Sequence, residues 1–189
     1  MKTITTIFFL CLFQLSLIGQ AGIQFYGGVS QASNRDANIT PAGQSHSGHH
    51  LGIDVRINEG KMFFALGAEY AKLNFMAEDS RDYFSVDNPM HWIKVRVGLG
   101  YKLFDLGKNT YVRAKTYGSI NTLTKYPDAM DDAPYLNYNK GVASAVGGIG
   151  MDIKAITIDF EYEYGFFNAV NKVQGTEFDF LKMSIGFRI

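Results

Sequence analysis

Residues 92–103 read WIKVRVGLGYKL, and the order of these residues decides the fold. Ile93, Val95, Val97, Leu99, Tyr101 and Leu103 share one parity, while Trp92, Lys94, Arg96, Gly98, Gly100 and Lys102 share the other. A period of two belongs to a β-strand, whose successive side chains point to opposite faces. One face here is apolar along the whole stretch, so the strand runs against a nonpolar medium from end to end. The other face mixes charge with glycine.

Three further stretches repeat the pattern. In LGIDVRI (51–57), Leu51, Ile53, Val55 and Ile57 oppose Gly52, Asp54 and Arg56. In AITIDFEYEYGF (155–166), Ile156, Ile158, Phe160, Tyr162, Tyr164 and Phe166 oppose Thr157, Asp159, Glu161, Glu163 and Gly165. In LKMSIGFRI (181–189), Leu181, Met183, Ile185, Phe187 and Ile189 oppose Lys182, Ser184, Gly186 and Arg188. Working outward from these, eight strand-length runs emerge, near 22–32, 48–58, 62–75, 90–104, 110–122, 141–153, 155–166 and 177–189. The third, MFFALGAEYAKLNF, alternates least, because both of its faces are partly apolar. The connections alternate as well. Those at 59–61, 105–109 and Lys154 are short, whereas 33–47, 76–89, 123–140 and 167–176 are long. Tilted runs of about ten residues, with short turns at one end and long loops at the other, predict an all-β, eight-stranded antiparallel up-and-down transmembrane β-barrel.

The amino terminus has a different character. Lys2 precedes an uncharged, largely apolar run over residues 7–18, and Gly19 and Ala21 put small residues three and one positions before a cut after Ala21. Residues 1–21 therefore read as a secretory signal peptide, too short in its apolar part to span a bilayer as a helix, and 22–189 as the barrel domain. The single cysteine, Cys11, falls in the removed part, so the mature chain has no thiol chemistry. The 18 basic and 18 acidic residues cancel, which gives no reason to expect a nucleic-acid partner. Gly at 20, Pro at 4 and 14% aromatics suit turn-rich β-structure.

A soluble barrel would show the same alternation with its apolar face turned inward. Three features favour lipid outside. Gly52, Gly98, Gly100, Gly148, Gly150 and Gly186 lie on the polar faces, where glycine makes room for a neighbouring Arg or Lys in a narrow lumen. The same faces carry both signs: Arg56, Lys94, Arg96, Lys102, Arg113, Lys115, Lys182 and Arg188 against Asp54, Glu69, Asp152, Asp159, Glu161 and Glu163. Such a set can pair across an interior as a structural ion-pair network, with Lys182 and Arg188 beside the seventh strand's acidic column and Lys94 and Arg96 across from it. Finally, Tyr70, Tyr101, Tyr164, Phe166 and Phe187 sit near strand ends on the apolar face, where membrane barrels carry aromatic girdles.

The leader ending LIGQA, the eight alternating runs and the closing strand FLKMSIGFRI together resemble the small bacterial outer-membrane β-barrel family, described as porin-like or as outer-membrane-protein β-barrel domains. The resemblance covers the whole mature chain as a pattern rather than a motif. Where many members end in an aromatic residue, this chain ends in Ile189, with Phe187 two positions earlier on the same face. The resemblance implies an integral outer-membrane location, outer-membrane lipid and lipopolysaccharide as surroundings, and no catalytic residue. Its members include surface-binding proteins, envelope stabilisers and barrel subunits of secretion machinery such as the type IX system, and the fold does not choose among them.

Candidates for chemistry are few. His46, His49 and His50 in HSGHH are close enough in sequence to suggest Zn²⁺ or Cu²⁺, but no carboxylate or fourth ligand lies nearby, and His50 has lumen-facing parity. His91, Ser85 and Asp87 could join them at an enzyme-like rim, yet no nucleophile signature is present. The long loops carry Glu78, Asp79, Asp82 and Asp87 against Arg81, then Asp128, Asp131 and Asp132 with Tyr126, Tyr135, Leu136 and Tyr138. Acidic-aromatic loops of this kind suit a protein partner, a glycan or a bridging cation, without the spacing of a calcium loop. The expectation is a non-enzymatic barrel with no metal, cofactor or catalytic site. Its lumen is filled by charged side chains, and a narrow solute path is the alternative.

Overall fold

The computed structural model describes residues 21–34, 46–58, 60–73, 90–125, 139–168 and 177–189. They form eight strands: β1 (Ala21–Asn34), β2 (His46–Ile57), β3 (Met62–Leu73), β4 (Met90–Gly107), β5 (Thr110–Lys125), β6 (Gly141–Ile153), β7 (Ile156–Gly165) and β8 (Phe178–Arg188). Each pairs antiparallel with the next, and β8 returns to pair with β1, which closes the barrel expected from the alternation. Closure satisfies every strand's hydrogen-bonding edge within the sheet, the one way a sheet can cross hydrocarbon.

The stagger can be read from the register. A row of paired residues runs Gly22, Arg56, Ala65, Gly98, Tyr117, Val146, Glu163 and Phe180, and returns to β1 at Ala32. One circuit thus advances 32 − 22 = 10 residues along β1, a stagger that requires strands tilted by roughly 35–45°. Because of the tilt, residues far apart in register meet at one height inside.

Two stretches depart from expectation. The interval 105–109 is not a turn: β4 continues to Gly107, and only Lys108 and Asn109 turn the chain. Register shifts at Lys102/Phe104 and Asp105/Gly107 break the period of two, so Leu103 and Phe104 are both exposed and the sequence there stops looking like a strand. At the other end β5 runs on to Lys125, and Leu123 belongs inside the barrel rather than in a loop. Asn58, Asn109 and Lys154, one at each short turn, have left-handed backbone with φ of 60°, 61° and 56°. Asparagine tolerates this readily and lysine seldom does. Lys154 is held there by its N–H, which donates to the Asn109 carbonyl at 2.8 Å.

The weak alternation of β3 now has a cause. Its inward residues are Phe63, Ala65, Gly67, Glu69, Ala71 and Leu73, and Phe63, Ala65, Ala71 and Leu73 belong to two clusters inside the lumen. The glycines also need a correction. At Gly52 and Gly100 the space is taken by the rings of Tyr26 and Phe63, not by Arg or Lys; Gly150 alone fits the expectation, beside Arg113 and Asp159. Gly98 faces backbone instead, since a Cβ there would stand 1.9 Å from the Thr116 carbonyl oxygen, whereas Gly118 meets nothing within 4 Å. Gly98→Ala should therefore lower the unfolding free energy by about 1–3 kcal/mol, while Gly118→Ala leaves it unchanged or raises it by about 0.5 kcal/mol. Urea unfolding of the barrel in detergent, followed through its single tryptophan, Trp92, measures both.

Candidate functional site

The lumen is the only place in the described residues where charge is concentrated and withdrawn from solvent. Six buried cations, Arg56, Lys94, Arg96, Arg113, Lys115 and Lys182, face six of the seven buried carboxylates, Asp54, Glu69, Asp152, Asp159, Glu161 and Glu163. Each occupies the inward parity of its strand, so the period that turns Val95 or Phe160 outward turns Lys94 or Asp159 inward.

Near the end carrying the short turns, Arg56 Nη1 donates to Asp152 at 2.6 Å, and Arg113 Nε donates to the other oxygen of Asp152 at 2.9 Å. Arg113 Nη2 continues to Asp159 at 2.9 Å, and Lys115 links Asp159 (2.9 Å) to Glu161 (2.5 Å). At mid-height Arg96 reaches Asp54 at 2.9 Å, Glu69 at 3.2 Å and Glu161 at 3.1 Å. Its guanidinium lies between the rings of Tyr26 and Tyr117, 4.8 and 4.7 Å from their centroids. Those tyrosines donate their hydroxyls to Glu69 and Asp54. Lys182 bridges Glu69 and Glu163, both at 3.0 Å, with Glu161 at 3.3 Å, and Lys94 reaches Glu163 at 2.6 Å.

Two members of the anticipated set stand apart. Lys102 and Arg188 lie half-buried at the turn end against Tyr111; Lys102 Nζ is 4.3 Å from its ring centroid, and Arg188 bonds its hydroxyl. Arg188 was expected beside the acids of β7, but its carboxylate is Asp152 of β6, at 3.4 Å. Its strand ends below the acidic column, and the tilt brings β6 within reach.

Several participants carry no charge and escaped the sequence reading. Gln24 donates to Thr157 and Asp159 and accepts from Arg56. Asn121 and Ser144 both donate to Glu163 at 2.8 Å. Inward parity on a strand of known register was the only available signal, and β1 alternates too weakly to supply it. Asp179 was missed for another reason. Phe178, Asp179 and Phe180 are all buried, so the alternation fails locally, and Asp179 accepts from the Tyr162 hydroxyl and the Gly165 N–H.

Above the ionic zone, toward the long connections, the lumen turns apolar. Ala32, Ala71, Leu73, Met90, Trp92, Leu123, Phe178 and Phe180 form one buried cluster, and Lys94 Nζ lies 4.0 Å from the Phe180 ring centroid where the two zones meet. The outer surface is the reverse of the interior. Phe25, Leu51, Leu66, Val95, Leu99, Ile120, Ile149, Phe160, Ile185 and their neighbours are exposed all round the barrel.

No family model matches the chain, and no curated protein matches it in sequence. Among solved structures the barrel is similar to Neisserial surface protein A, NspA, with a TM-score of 0.52 and 14% identity over 88% of this chain and 96% of that one. Ail, the attachment invasion locus protein of Yersinia pestis, aligns with a TM-score of 0.41 and 13% identity over 89% and 97% of the two chains. The likeness to NspA is one of fold. What the two share is the barrel architecture.

His49, His50 and His91 do not gather, and the side chain of His46 lies outside those described. His50 is buried, with Nε2 2.9 Å from Ser184 Oγ, and no described group bonds its Nδ1. His49, next to it, is exposed on the opposite face. His91 is half-exposed outside the barrel, bonded through Nδ1 to the Tyr70 hydroxyl. No group of three potential metal ligands occurs among the described residues. The His50–Ser184 pair has the makings of a base and a hydroxyl, but Ser184 too is buried and no carboxylate orients the ring. Ser85, Asp87 and the acidic and aromatic residues of 76–89 and 126–138 lie outside the described residues.

Glu161 is the carboxylate shared by Arg96, Lys115 and Lys182. Glu161→Ala leaves the six cations of the network against five carboxylates and is expected to reduce stability by about 3–5 kcal/mol. Adding Lys115→Met restores the balance and should recover part of the loss. Urea midpoints of the single and double variants check both steps.

Proposed function

We propose that this chain is a non-enzymatic integral outer-membrane barrel, closed along its axis by its own side chains, which holds its long connections outside the cell as a binding or docking surface. The observation that carries this reading is the inverted polarity of the barrel, with a continuous apolar exterior around an ionic interior. A water-soluble monomer seldom exposes an apolar patch beyond about 300–600 Å². Here the whole circumference is apolar, which only lipid accommodates at low cost.

An even number of strands returns the carboxyl terminus to the side from which the amino terminus started. For an exported chain freed of residues 1–21, both ends and the three short turns then face the periplasm. On this reading the connections that carry the acidic and aromatic residues of 76–89 and 126–138 are the ones presented to a protein or glycan. In the lumen, salt bridges span the bore and the Trp92–Phe180 layer lies over them, which supports a plugged barrel over a solute path.

Membrane fractionation combined with protease shaving of intact cells tests the location. The protein is expected in the outer membrane, with cleavage in the long connections and none at the 58–61 turn; recovery from the soluble periplasm overturns the reading. Planar-bilayer recordings are expected to show no steady ohmic conductance, and large stable channels would mean an open lumen. Extraction in mild detergent should yield a solitary barrel. A stoichiometric protein partner would instead make the chain a subunit of an envelope machine.

A further inference from the structure

At the loop end of the exterior the apolar face gives way to a row of basic side chains on one side of the barrel only. His49, Lys72, His91 and Lys125 are successive register partners across β2, β3, β4 and β5. The next outward row toward the middle is Leu51, Tyr70, Ile93 and Thr122. On β2, β3 and β4 the outer face therefore changes from apolar to basic within one step of the alternation, whereas on β5 the exposed Thr122 and Thr124 precede Lys125. Across the barrel, the same rim on β7 and β8 presents Tyr164, Phe166 and Leu181 instead.

Lys72 and Lys125 flank His91 in this row, and among the described residues no carboxylate pairs with any of these four. Tyr70, in the apolar row, bonds His91 Nδ1 with its ring edge-on to the imidazole at 5.7 Å, leaving Nε2 as the nitrogen available to an anion. Lys72 and His91 are only half-exposed, as basic side chains are at a hydrocarbon boundary.

We propose that this row binds the phosphorylated headgroup of an outer-leaflet lipid of the lipid A type, its acyl chains lying on the column of Leu51, Ile53, Leu66, Ile93 and Val95 below. A phosphate monoester brings roughly −1.5 to −2 charges and three acceptor oxygens, which matches two ammonium groups and two imidazoles in line. The apolar column directly beneath selects a lipid over a free anion. The inference rests on the outer-membrane reading above and names one partner for it.

The test uses native mass spectrometry of the folded mature barrel in detergent, with bisphosphorylated lipid A, the same lipid stripped of phosphate, and inorganic phosphate as competitor. The phosphorylated lipid is expected to bind at least tenfold more tightly than the stripped one, and H49N/K72Q/H91N/K125Q should abolish that preference. The smaller K72Q/K125Q change should weaken it should the fourfold variant fail to fold, folding being judged by heat-modifiable migration. Equal binding of the two lipids, or an unchanged preference in both variants, overturns the proposal. Displacement of the lipid by millimolar inorganic phosphate also overturns it, since the site would then be a plain anion site. A barrel found in the outer membrane that fails these tests loses only this site, whereas a wild-type protein absent from that membrane loses the location itself.

Discussion

Arg96 occupies the middle of the lumen, its guanidinium between two tyrosine rings and in contact with carboxylates from β2, β3 and β7. That arrangement expresses the constraint on which the rest of the molecule depends. A closed sheet surrounded by hydrocarbon can place charge only on its inner face, and there each charge must find its opposite. Buried ion pairs of this sort do not by themselves make a barrel more stable than apolar filling would. They do keep the strands from becoming continuous apolar runs: the mean hydropathy of the chain is −0.05, and none of its described segments is a helix long and apolar enough to cross a membrane.

The ten-residue stagger decides which charges meet. Glu161 and Lys182 are direct cross-strand partners on β7 and β8, a contact that register alone explains. Lys94 and Glu163 lie on strands that share no ladder, and they meet because the tilt carries β7 to the height of β4's inward lysine. The same tilt gives Arg188 to Asp152 and leaves the upper acids to Lys182, Lys94 and Arg96.

The barrel is also polar along its axis. At the turn end the interior finishes in Lys102, Tyr111 and Arg188, and at the loop end in Trp92, Phe178 and Phe180. Outside, the loop end carries basic residues over β2 to β5 and aromatic ones over β7 and β8. These asymmetries give an otherwise uniform cylinder two distinct ends and distinct sides.

By itself the sequence determined the number of strands, their order and, where the alternation is strong, which side chains point inward, because an apolar face at period two is a local property that a window of ten residues can display. The charged interior was legible for the same reason: Lys94, Arg96, Asp159 and Glu161 each sit between outward apolar neighbours. Where the period lapsed, the reading lapsed with it, at the bulges near Lys102 and Asp105 and in the all-buried run of Phe178, Asp179 and Phe180. Only the tertiary structure decided the pairings, the apolar layer above them, the use of glycine at Gly52 and Gly100 to admit aromatic rings, and the alignment of His49, Lys72, His91 and Lys125 into one row. All of these depend on the offset between strands. That offset is set when the barrel closes on itself, and no single strand carries it.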